Sequence, residues 1–157
     1  MNDVIPRKLQ PEDMDGVRNV DELTQRMYRG KEWDMLGEGE KEEFMASRKS
    51  EFRINCDTGF SFVALEDCEI VGFLFAHENL PFKNEILIRH IAVHPSFQER
   101  GIGKKLCFAL IDKAKKEGKK AIRSSINPDN PPSVKLHKRV GFKVTDWKRA
   151  ILKLQIY

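Results

Sequence analysis

Two glycines one residue apart, Gly101 and Gly103, are the part of this chain whose residue types and spacing point most directly to chemistry. They lie in Ser96-Phe97-Gln98-Glu99-Arg100-Gly101-Ile102-Gly103-Lys104, after an apolar run that ends Ile91-Ala92-Val93-His94-Pro95, and they open a helical pattern. Glycine lets the backbone curl so that successive N–H groups converge on one spot, and a helix starting there adds the positive end of its dipole. A turn of this kind holds an anion, above all a phosphate. It is not a dinucleotide fingerprint, which would need glycine where the chain has Leu106. Nor is it a Walker A loop, because no G-x-x-x-x-G-K-[ST] occurs. Two glycines alone would serve equally as a turn and a helix cap, so the elements around them decide.

Hydrophobic periodicity supplies those elements. Val4 to Leu9 is short and partly apolar, and Pro11-Glu12-Asp13 then offers a helix start. Met14, Val17, Val20, Leu23 and Met27 recur at three and four and predict an amphipathic helix. Gly37 and Gly39 break the pattern before a weaker helix over Glu40 to Phe52. The runs 60–65 and 70–75 are β-branched and aromatic, joined by a polar connection of hairpin length, and read as an antiparallel pair. A third strand, Ile86 to Val93, stops at His94-Pro95. Ile102, Leu106, Leu110 and Ala114 then form a helix closed by Gly118, followed by a strand at Ala121 to Ile126, a short helix at Pro132 to Val140, and two terminal strands across Phe142 to Ile156. This mixed order predicts an α/β (mixed α+β) fold, one sheet with helices on its faces.

In that setting Gln98-x-x-Gly101-x-Gly103 is similar to the Q/R-x-x-G-x-G/A signature of the GCN5-related N-acetyltransferase superfamily, preceded as in that family by the strand ending Ala92-Val93-His94-Pro95. Downstream, Asn130-x-x-Ser133-x-x-Leu136-His137-x-x-x-Gly141-Phe142 resembles that family's N-x-x-[AS]-x-x-[LF]-Y-x-x-x-G-F motif. The two matches lie the expected distance apart, and the resemblance covers essentially the whole chain as a single domain, residues 1–157. It implies a central mixed sheet whose splayed middle strands bind acetyl-CoA in a V-shaped opening, between the strand carrying Ile91, Ala92 and Val93 and the strand at Ala121 to Ile126. Backbone groups of Ile91 and Val93 would pair with the pantetheine arm as though it were an added strand. The N–H groups of Gln98, Glu99, Arg100, Gly101, Ile102, Gly103 and Lys104 would hold the pyrophosphate. Asn130 would hydrogen-bond the pantetheine or the strand opening, and Ser133 would begin the adjoining helix wall.

The resemblance also implies direct attack of a neutral amine on the thioester in a ternary complex, with a backbone N–H near Ala92 or Val93 facing the oxyanion. The family usually places a tyrosine as acid where this chain has His137. Either its imidazole protonates the departing thiolate, or it is a partly buried polar residue and water does so. No base is named. The position aligned with the family's glutamate is Leu87, sharing a face with Arg89; alternation puts His90 on the opposite face as a core or interface histidine, and Glu85 reads as surface decoration. The acceptor groove is expected along Tyr28 to Glu43, with Tyr28, Trp33 and Asp34 as its contacts. The acids there suit a small cationic amine, although they would equally solvate a loop. A protein N-terminal or lysine acetyltransferase and a non-catalytic acyl-CoA-binding module are the alternatives.

Composition narrows the partners. The chain has 157 residues and net charge +4, but residues 1–60 carry 10 basic against 14 acidic side chains and residues 61–157 carry 18 against 10. The Lys113 to Lys120 cluster reads as a solvated face or a contact for phosphates, and no aromatic residues interleave it, so no nucleic acid is expected. The three cysteines lack C-x-x-C spacing and the four histidines form no ligand pattern, so no metal is expected; Cys107 reads as core packing. No apolar run approaches the roughly 20 residues a membrane span needs. The first residues show no secretory signal, so the expected location is the cytoplasm. Exposed terminal strands would suit a homodimer.

Overall fold

Residues 3–148 and 150–153 are described by a computed structural model of the chain. Five strands, β1 (Ile5–Lys8), β2 (Phe62–Glu66), β3 (Glu69–Asn79), β4 (Phe82–Val93) and β5 (Ala121–Ser124), form one sheet in that order. The first four pair antiparallel, and β4 pairs parallel with β5. The β2–β3 turn works because Asp67 and Cys68 both take left-handed backbone, with φ of 49° and 67°, the conformation that matches a two-residue turn to strand twist. The parallel neighbour β5 requires a crossover, which the intervening α4 (Ile102–Lys116) provides.

Helices cover both faces of the sheet. α1 (Met14–Arg29) and α3 (Glu38–Cys56) bury Val17, Val20 and Phe52 with Leu9, Val63, Phe73, Phe75 and Ala92. On the other face, Ile102 and Leu106 of α4 close over Gly72, where an added Cβ would lie 3.2 and 3.3 Å from them. β3 is buried continuously from Val71 to Ala76, as a central strand covered on both sides must be. α1 approaches β3 so closely that a Cβ at Gly16 would sit 2.8 Å from Ile70 Cδ1. Among the described residues no helix is long and apolar enough to cross a membrane.

Cα packing separates Met1–Ser125 from a second unit, Ile126–Tyr157. The second unit contains α5 (Pro131–Val140), capped by Asn130, whose side chain accepts from Ser133 N, and ended by Gly141 at φ 108°. No strand occurs among the described residues of the expected terminal pair, 142–148 and 150–153; the rest of that stretch lies outside the described residues. A strand there needs a partner ladder and a buried face, yet Trp147, Ile151 and Leu152 are exposed. The terminal strands on which a homodimer was expected are therefore not available in these residues.

Three further elements differ from expectation. A short helix α2 (Lys31–Met35) interrupts the glycine-rich connection. Gly39 lies inside α3, because Gly37 alone serves as its N-cap, with its N–H held by Glu40 Oε2 at 2.8 Å. The strand expected to reach Ile126 ends at Ser124, where β4 changes course.

Candidate functional site

The β4–β5 ladder runs from Glu85↔Ala121 to Ile88↔Ser124 and stops, although β4 continues to Val93. The cause is a bulge: Phe75 pairs with His90 and Ala76 with Ile88, so Arg89 is an extra residue that bends the strand. From Arg89 to Val93 one edge of β4 has no strand beside it among the described residues. His94 N–H donates to Val71 O at 2.8 Å, and backbone groups alternate sides along a strand. Ala92 therefore pairs with Phe73 of β3, whereas the backbone groups of Ile91 and Val93 face the opening. Of the two residues expected to offer a backbone N–H to the oxyanion, Ala92 has its backbone committed to β3 and its side chain in the core, and Val93 faces the opening.

The loop beyond β4 is shaped by Glu99 and Gly101, both left-handed at φ 62° and 77°, with Gly101 the N-cap of α4. Gln98 Nε2 donates to Val93 O at 3.1 Å and ties the loop to the strand end. Arg100 pairs with Glu66 of β2 and lies over the Phe97 ring at 5.1 Å. Among the described residues, the N–H groups from Gln98 to Lys104 donate to no protein acceptor. Seven unused donors around the start of a 15-residue helix fit a pyrophosphate.

The opposite face of the bulge carries a network that the sequence reading did not anticipate. Asp21 of α1, 5% exposed, takes Arg48 Nε at 2.7 Å and Arg48 Nη2 at 3.0 Å. Arg48 Nη1 donates to Glu51 Oε2 at 3.0 Å, and Glu51 Oε1 accepts from Arg89 Nε at 3.1 Å. His90 Nε2 lies 3.0 Å from Arg48 Nη2 and 3.5 Å from Asp21 Oδ1, and its ring stacks on Phe73 at 5.3 Å. Burial alone would push the Asp21 carboxyl up, but the hydrogen bonds and charge of Arg48 hold it well below its usual value. Strict alternation had put His90 opposite Arg89. The bulge brings both to the α1/α3 side.

In the second unit, Asn130 and Ser133 form the cap of α5, and His137, 1% exposed, lies one turn on. His137 Nδ1 is 2.8 Å from Ser133 O. A carbonyl only accepts, so Nδ1 carries the hydrogen. Burial lowers the imidazole pKa, partly opposed by that hydrogen bond. A neutral imidazole of this tautomer accepts at Nε2 and is a poor acid.

Of the expected acceptor contacts, Tyr28 and Asp34 are exposed, but Trp33 is not. It is 1% exposed, edge-on to Phe44 at 5.8 Å, with its Nε1 unpartnered. An indole is driven into the core by its large apolar area. Glu85 is taken by Arg123 at 2.6 and 2.9 Å and by Asn79 at 3.1 Å; these bonds lower its carboxyl. Cys107 is buried, which pushes its thiol up to about 12, as core packing requires. Within the basic cluster, Lys113 pairs with Glu117 and Lys119 with Glu78.

A model of the acetyltransferase (GNAT) family matches residues 20–142. The chain is 42% identical over 55 residues to the L-methionine sulfoximine/L-methionine sulfone acetyltransferase of Salmonella typhimurium, covering 35% of this chain and 32% of that protein. It is 30% identical over 92 residues to the aminoglycoside N(6')-acetyltransferase type 1 of the same organism, covering 55% and 63%. The matches thus span about a third to three fifths of these relatives' lengths. The fold is shared with the PaiA N-acetyltransferase of Thermoplasma acidophilum, solved with coenzyme A, at a TM-score of 0.75 and 19% identity over 93% of each chain.

Proposed function

The chain belongs to the acetyltransferase (GNAT) family, and from that premise we propose that it transfers the acetyl group of acetyl-CoA directly to the primary amine of a small molecule. The observation that carries the reading is the opening of the sheet beyond Ile88↔Ser124, continuous with a loop whose N–H groups have no protein acceptor among the described residues. The names of both Salmonella relatives, which act on small molecules, support it over a protein substrate.

When bound, acetyl-CoA supplies a thioester whose carbonyl carbon accepts the amine. The N–H groups of Gln98 to Lys104 hold the pyrophosphate, and Ile91 and Val93 offer their backbone groups to the pantetheine. Val93 N–H, rather than that of Ala92, is the donor positioned for negative charge on the carbonyl oxygen. Gln98 fixes Val93 O, so strand end and loop are held together. Asn130 Oδ1 accepts from Ser133 N–H and caps α5. His137 stays neutral, and water protonates the departing thiolate. The reading places the chain in the cytoplasm, where acetyl-CoA is available.

Calorimetric titration of acetyl-CoA, together with thiol release over a panel of small amines and peptides, tests it. Binding with amine-dependent thiol release supports the reading; release with peptides alone points to a protein acceptor. Binding without release from any amine reduces the chain to an acyl-CoA-binding module.

A further inference from the structure

The bulge at Arg89 turns Arg89 and His90 to one face of β4, where that strand parts from β5. Arg89 is 63% exposed and uses only Nε, which Glu51 holds. Its two terminal nitrogens have no protein partner among the described residues, so its planar fork is free to take two oxygens of one anion. His90 is 23% exposed. Arg48 has no lone pair and only donates, so His90 Nε2 accepts from it and Nδ1 carries the hydrogen. That Nδ1 has no protein partner among the described residues. Arg48 holds one edge of the imidazole, and its other edge presents an N–H on the strand face that the neighbouring Arg89 also occupies.

We propose that Arg89 and His90 form a receptor for a carboxylate on the acceptor, so that the amine acetylated is that of an amino acid; this rests on the acetyl-transfer reading above. Asp21, Arg48 and Glu51 are positioning residues, fixing the ring and the fork without touching the ligand. The acidic segment after α1 is a weaker guide to the acceptor, because Glu40 caps α3, Glu38 pairs with Lys41 and Trp33 is buried.

The test uses the intact chain with L-amino acids and the matching amino acid amides, which keep the amine and lose the anionic group. Wild type is expected to favour the acids by about 10- to 100-fold in kcat/KM, the effect of one or two charge-assisted hydrogen bonds. Arg89→Met removes that preference with the KM for acetyl-CoA unmoved, and Arg89→Lys, which keeps the charge but not the fork, restores part of it. Equal rates for acid and amide in wild type, or a preference that survives Arg89→Met, overturn the receptor while acetyl transfer itself stands. Where no amine is acetylated, the transfer reading fails and calorimetry on the CoA-loaded chain still decides: binding of the acid and not the amide supports the receptor, and equal or absent binding overturns it.

Discussion

The loop from Gln98 to Lys104 and the cluster around Arg48 sit on either side of the same strand end and are built from different materials. The loop offers backbone N–H groups, and its side chains serve mainly to hold its shape: Gln98 on Val93 O, Arg100 on Glu66. The cluster is made of side chains from α1, α3 and β4, with a buried carboxylate at its centre. A backbone site tolerates changes of side chain but not of conformation. A buried charge network tolerates changes of conformation poorly and loss of one partner worst of all.

The largest effect should come from breaking the network. Arg48→Met leaves the buried Asp21 carboxylate without its cation and is expected to cost about 3–5 kcal/mol of stability, read as a lower denaturant midpoint. Adding Asp21→Asn should recover most of that loss. Gly101→Val forces a β-branched residue into left-handed backbone at a strain of about 1–3 kcal/mol. Calorimetry should show its CoA binding weakened well beyond what the same substitution at an exposed helix position produces. Gln98→Leu removes one hydrogen bond, about 0.5–1.5 kcal/mol, and should weaken CoA a few-fold with the acceptor KM unchanged.

The smallest effect concerns His137. Its folded-state pKa is depressed, so the unfolded chain binds the proton more readily, and the stability present above about pH 6.5 is lost as the pH falls below it. Unfolding midpoints between pH 7.5 and 5.5 should show this slope, and His137→Gln should flatten it. If His137 were the acid for the thiolate, the same variant would instead change turnover across pH 6 to 9.

The loop was legible in the sequence because glycine spacing and a strand–turn–helix order dictate backbone directly. Helix α1 and the β2–β3 hairpin were legible for the same reason, through period and turn chemistry. The cluster was not, because one extra residue at Arg89 reverses which face each later side chain occupies, and no local pattern announces a bulge. Trp33 misled in another way: among acids in a glycine-rich segment it read as a groove residue, whereas its apolar area drew its indole into the core. No strand forms in the described residues of the expected terminal pair, because apolar residues do not by themselves supply a partner ladder.

The central claim is that backbone N–H groups of one loop receive the pyrophosphate of CoA. Amide resonances of the nitrogen-15-labelled chain, followed during titration with CoA, test it residue by residue. The expected result is large shifts for Gln98 to Lys104 and for Ile91 and Val93, with Asp21, Arg48 and Glu51 nearly still. Saturation by CoA with the loop amides unmoved would contradict it.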